Sequence, residues 1–142
     1  MARVKLDLPE DFPFSTEIPV RIGDVNYGGH MGHDAVLSLA HEARLRYFTQ
    51  EGFTEFDVGG YGIIMTDAVV VYKAEAFHGN VLVIEIAAGD FSRSGCDFYF
   101  RITNRANGTE VARIKTGILI FDYEKKKVAR MPENFRTAFH SA

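Results

Sequence analysis

The sequence predicts an α+β protein in which a curved five-stranded antiparallel sheet wraps around one long central helix. Three observations carry that prediction. A single long segment has apolar residues at helical spacing. Four later segments read as strands, one of them with clean two-residue alternation, and a fifth precedes the helix. The helix stripe is too wide for one flat contact, so the sheet must curl to cover it.

The elements follow in order. The charged, proline-containing start to about Ser15 reads as an arm, and residues 17–22 as a first strand, with Pro19 arguing for an edge or a bulge. Residues 24–33 are polar and carry Gly28, Gly29 and Gly32, a loop with unusual backbone demands. Asp34 is the expected N-cap of a helix that runs to about Gln50 and stops at Gly52. Within it Val36, Leu39, Ala40, Ala43 and Tyr47 recur at helical spacing, and Leu37 and Phe48 widen the stripe. Strands are expected over residues 63–74, 81–88, 95–103 and 110–123. In the third of these, Cys96, Phe98, Phe100 and Ile102 share one face, and Asp97, Tyr99, Arg101 and Thr103 the other. Asn107-Gly108 is a type I′ hairpin signal, and Lys125 to Lys127 begin an irregular tail.

Composition bounds the function. The chain has 142 residues, 46% hydrophobic and 25% charged, which fits one globular domain, residues 1–142, able to bury a core without staples. A net charge of −3 gives no dedicated nucleic-acid surface, and no apolar run is long enough to span a bilayer. The first residues lack the apolar stretch of a secretory signal. Cys96 is the only cysteine, so no internal disulfide can form. A cytoplasmic location is expected.

The chemistry concentrates in Val20-Arg21-Ile22-Gly23-Asp24-Val25-Asn26-Tyr27-Gly28-Gly29-His30-Met31-Gly32-His33-Asp34 and the helix start after it. This stretch resembles the N-terminal signature of the 4-hydroxybenzoyl-CoA thioesterase branch of the hotdog superfamily. Arg21, Asp24, Gly29, His30 and Glu42-Ala43-Arg44 fall in its register without a gap, and Tyr72-Lys73-Ala74 and Gly79-Asn80 also match. The resemblance implies a hotdog fold and hydrolysis of an acyl-CoA thioester to free acid and CoA without a cofactor. It also implies a homodimer or dimer of dimers, with sites between subunits. Two positions depart from the pattern: Asn26 replaces the family's second acid, and Gly32-His33 replaces a usual Asn-Asn pair.

Backbone N–H groups at a helix start can hold a developing oxyanion, and Gly28-Gly29 lets backbone approach a ligand closely just before them. Asn26 can position a carbonyl or a water but cannot take a proton at neutral pH. The base then falls to His30 or Asp24, with Asp34 a third candidate that reads more readily as a cap. Each has a plain alternative: Asp24 can pin the loop, Asn26 can serve a left-handed turn, and His30 can be structural. Tyr27, Gly28, Gly29 and Asp34 are candidate substrate contacts. Asp67 joins them because it shares the strand face of Ile63 and Met65, where an unpaired carboxylate is costly. Arg93, between Ser92 and Ser94, is a candidate for a CoA phosphate, against a solvated bend. His30, His33 and Asp34 lack the further ligands a metal site needs, so no metal is expected. Glu42 and Arg44 read as ion-pair partners and Cys96 as core.

Two other activities fit the same residues. Hotdog hydratases resemble the Asp24, Asn26 and His30 set, although His30 lies one position beyond their pattern. A non-hydrolytic acyl-CoA-binding module is the alternative that Asn26 itself suggests.

Overall fold

The computed structural model describes residues 3–140; Met1, Ala2, Ser141 and Ala142 lie outside it, so the N-terminal arm is described from Arg3. The central helix, α1 (His33–Gln50), follows from its stripe: Val36, Leu39, Ala40, Ala43, Tyr47 and Phe48 are all buried. Its N-cap is Gly32, not Asp34, and no side chain caps the first turn. Asp34 falls instead within that turn, where its charge faces the positive end of the helix dipole. At the other end Gly52 takes φ 84°, Phe53 N–H donates to Phe48 O at 2.8 Å, and Gly52 N–H to Thr49 O at 3.1 Å. That double bond is a Schellman stop, and it needs a residue that tolerates positive φ.

The strands are β1 (Phe14–Pro19), β2 (Gly62–Tyr72), β3 (Val81–Gly89), β4 (Gly95–Asn104) and β5 (Glu110–Asp122), in the order β1-β3-β4-β5-β2, all antiparallel. A two-residue strand, β6 (Lys127–Val128), adds to β5. β4 keeps its expected alternation, with Cys96, Phe98, Phe100 and Ile102 buried. Together with Leu82, Ile84 and Ile86 of β3 and Ile114 and Ile118 of β5, they make the surface on which α1 lies. Burial of Phe48, Phe98 and Phe100 to 0% exposure shows how completely the sheet encloses that helix.

Three further expectations are corrected. The first strand begins at Phe14 and ends at Pro19, because Ile22–Asp24 turns into a short 3₁₀ segment held by bonds from Arg21 to Asp24. Pro19 closes an edge strand, where its missing N–H is tolerated. The Asn107-Gly108 hairpin forms, but as a five-residue loop between β4 and β5: Gly108 alone has positive φ there, and its N–H donates to Asn104 O at 2.8 Å. A type I′ turn would need both central residues at positive φ. The tail is not irregular. It forms α2 (Glu133–His140), whose Phe135 and Phe139 are buried against Phe48 and Phe53. Among the described residues no helix is long and apolar enough to cross a membrane.

Candidate active site

The loop before α1 is shaped by its own backbone. Asn26 N–H donates to His30 O at 2.9 Å, Gly29 N–H to Asn26 O at 3.0 Å, and Gly28 N–H to the Asn26 side-chain Oδ1 at 2.9 Å. Gly29 sits at φ 83°, which closes the turn. The turn is then clamped: Gly32 N–H donates to Asp24 O at 2.9 Å, and Met31 N–H donates to Ala76 O at 2.7 Å. The second bond brings the segment after β2 alongside the loop. A cleft of about 350 Å³ results, lined by Asn26, His30, Met31, His33, Tyr72, Ala74 and Glu75.

Within it, His30 has a defined geometry. Its Nδ1 lies 3.2 Å from Met31 O, and a carbonyl can only accept, so Nδ1 carries the proton. Nε2 is left as the basic nitrogen of the neutral ring, 3.9 Å from Glu75 Oε1. Asn26 spends Oδ1 on the turn, which leaves its Nδ2 to donate to a ligand. The Tyr72 hydroxyl donates to His33 O at 2.9 Å and ties the end of β2 to the first turn of α1. That turn has no side-chain cap and starts at His33, which lines the cleft, while Ala35 N–H donates to Gly32 O at 3.1 Å. The arrangement brings an imidazole, a side-chain amide and the start of a helix to one cleft.

The other candidate residues lie elsewhere. Asp24 is buried, and its carboxylate accepts from Arg21 N–H at 2.9 Å, Arg21 Nε at 3.1 Å and Arg21 Nη2 at 3.3 Å. Burial pushes its pKa up, but the bonds and charge of Arg21 outweigh that and hold it below the usual carboxylate range. A carboxylate so occupied is a poor base, and Asp24 pins the loop. Asp34 stays outside the cleft, folded back over Gly32. Tyr27 is fully exposed and lines no part of the cleft, and Gly28 and Gly29 shape the turn without lining it. Arg93 lies on the bend before β4, next to residues in register with the start of β2, whereas the cleft is at the end of β2. Its backbone carbonyl accepts from Met131 N–H.

Asp67 is displaced by a bulge. Met65 is paired with Ile118 and Asp67 with Gly117, so Thr66 is an extra residue that flips the parity of β2. Asp67 therefore leaves the face of Met65. Its Oδ1 accepts from Lys115 Nζ at 3.0 Å and from Gly117 N–H at 3.0 Å. Arg44 pairs with Glu55, and Glu42 with Arg46. Burial pushes the Cys96 thiol up to about 12, so it stays a neutral core group. Among the described residues no three of His, Cys, Asp or Glu gather as metal ligands.

Sequence reasoning missed Glu75 and the cleft-facing roles of His33 and Tyr72. Glu75 carries no local signal, because it meets His30 only through the Met31–Ala76 clamp between segments 45 residues apart.

Known proteins place this geometry in context. Slr0204, a 1,4-dihydroxy-2-naphthoyl-CoA thioesterase from Synechocystis, superimposes with a TM-score of 0.83 at 21% identity, over 90% of this chain and 96% of that one. The DHNA-CoA thioesterase from Staphylococcus aureus does so at 0.75 and 24%, over 82% and 78%. SAV2348 of Staphylococcus aureus, solved in complex with CoA, does so at 0.81 and 15%, over 94% and 85%. These likenesses establish the hotdog fold. No curated protein sequence matches the chain significantly. Residues 20–139 match the profile of the thioesterase-like superfamily, a span that takes in the cleft, α1 and the whole sheet except β1. The chain belongs to the thioesterase-like superfamily.

Proposed function

We propose that this protein hydrolyses an acyl-CoA thioester at the start of α1, releasing a carboxylic acid and free CoA. The observation that carries the reading is one cleft that holds His30, with Nε2 3.9 Å from Glu75, beside His33 at the start of the uncapped first turn of α1. His30 Nε2 takes a proton from water as the water oxygen attacks the thioester carbon. The α1 amides hold the oxyanion, and Asn26 Nδ2 orients the carbonyl or the water. The C–S bond then breaks, and the imidazolium returns its proton to the departing CoA thiolate. CoA thioesters are the substrates named for Slr0204 and the Staphylococcus aureus enzyme, which supports the same class here.

A thiol-release assay over short, medium, long and aromatic acyl-CoAs tests this. His30→Ala is expected to lower the rate about 10²- to 10⁴-fold, the usual contribution of a positioned base. Glu75→Gln should lower it less. A His30→Ala enzyme at full rate would sink the assignment. The turn bond made by Asn26 Oδ1 keeps a second reading in play, a module that binds acyl-CoA without cleaving it. Under that reading the natural protein releases no thiol, and Asn26→Asp creates a rate.

The working unit proposed is a homodimer, or a dimer of such dimers, joined through β2. That strand ends the sheet with Met65 44% exposed and its neighbours Thr66, Asp67 and Ala68 exposed as well.

A further inference from the structure

Two glycines stand side by side in the turn before α1, and the backbone explains only one of them. Gly29 takes φ 83°, a conformation that side chains rarely tolerate. Gly28 does not take positive φ, so its backbone makes no demand for glycine. What a side chain would remove at Gly28 is space. A Cβ there would stand 3.3 Å from His30 Nε2, 3.6 Å from His30 Cδ2 and 3.4 Å from Asn26 Oδ1. The first distance is tighter than ordinary van der Waals contact. The missing methyl thus leaves a water-sized hollow between an imidazole and an amide, and both residues line the cleft.

The two walls fix what the hollow can hold. His30 Nδ1 donates to Met31 O, so Nε2 presents a lone pair. Asn26 Oδ1 accepts from Gly28 N–H at 2.9 Å, and an amide oxygen has a second lone pair to offer. Two acceptors beside one small space call for a molecule that donates twice. Water does so, and turns its own lone pairs away from both. A thioester carbonyl oxygen donates nothing and has no place there.

We propose that this hollow holds the water that attacks the thioester, and that Gly28 is the positioning residue that keeps it open. The inference rests on the hydrolase reading and gives the water of that reaction a place. One O–H points at His30 Nε2, which takes that proton as the oxygen bonds to the thioester carbon. The other O–H stays on Asn26 Oδ1 and remains in the carboxylic acid formed when the C–S bond breaks. The imidazolium proton passes to the departing thiolate. Asn26 Nδ2 is then left for the carbonyl.

Gly28→Ala in the full chain tests this, because it fills the hollow with one methyl at a backbone conformation alanine can adopt. The thermal midpoint should hold or rise, and KM for an acyl-CoA should stay the same. The kcat for thiol release should fall at least about tenfold, as it does when a reacting group is misplaced. An unchanged kcat would overturn the inference. So would a loss of kcat that comes with a lower midpoint, since the methyl would then be disrupting the turn. Diethyl pyrocarbonate, which acylates an unprotonated imidazole nitrogen, separates this inference from the hydrolase reading. His30 should be modified severalfold more slowly in Gly28→Ala, read by mass spectrometry of its peptide. If the natural protein releases no thiol, the hydrolase reading fails and the modification rate alone decides the hollow: slowing upholds it, and an unchanged rate overturns it.

Discussion

Asp24 and His30 are six residues apart in one loop, and their surroundings differ sharply. Asp24 accepts three bonds from Arg21, so its proton affinity is lowered and it serves as a fixed anion under the turn. A carboxylate with a depressed folded-state pKa stabilises the protein above the ordinary aspartate range, and that stabilisation is lost as pH falls through the folded value. Asp24→Asn should therefore cost about 1–3 kcal/mol at pH 7, the range for a buried charged partner left incomplete. The gap between variant and natural protein should close as the pH drops below about 3.9, the usual aspartate value. Urea unfolding at pH 7 and at pH 3 measures both. A cost that is equal at the two pH values would mean that shape, not charge, matters at this position. The type of each residue was legible in the sequence, since Asn26 and His30 reach the same cleft. The ion pair that occupies Asp24 was not, because it depends on Arg21 turning back through a 3₁₀ segment that the strand pattern masks.

Elements with strong periodicity were legible and those stabilised from a distance were not. α1 and β4 carry their own patterns over 18 and 10 residues, and both form with bounds close to those expected. α2 has eight residues, too few to fold alone, and exists because Phe135 and Phe139 find a waiting aromatic cluster. Phe139 stacks edge-on to Tyr47 and Phe98 and tilts against Phe48 and Phe53. Phe139→Ala should destabilise the protein by about 3–5 kcal/mol, the usual cost of emptying an aromatic core site. A fall of under 1 kcal/mol in chemical denaturation would show α2 to be a loosely attached cover. The bulge at Thr66 makes the complementary point for β2. Period-two reasoning put Asp67 inside the sheet, and one inserted residue moved it to Lys115 on the outside.

The two ends of the sheet differ in a way that bears on the proposed dimer. β1 is six residues long and closes with Pro19, which has no N–H to offer a neighbour. β2 is eleven residues long, has neither proline nor lysine, and exposes Met65 and Ala68 beside the half-exposed Leu37 of α1. A long apolar edge left bare is an aggregation hazard that folded proteins cover or charge. Pairing with the same strand of a second copy covers it under a two-fold axis, where each protomer offers the other an identical patch. Antiparallel pairing would also set the end of one β2, with Tyr72 and the cleft, against the start of the other, with Ile63. Activity and association should then fail together. Met65→Lys with Ala68→Lys is expected to shift light scattering from twice the 15.9 kDa chain mass, or a multiple of it, toward a single chain. Thiol release should fall at least tenfold while the circular dichroism spectrum is kept. A natural protein that scatters as a single chain at assay concentration, yet cleaves thioesters at full rate, would place the complete site inside one protomer.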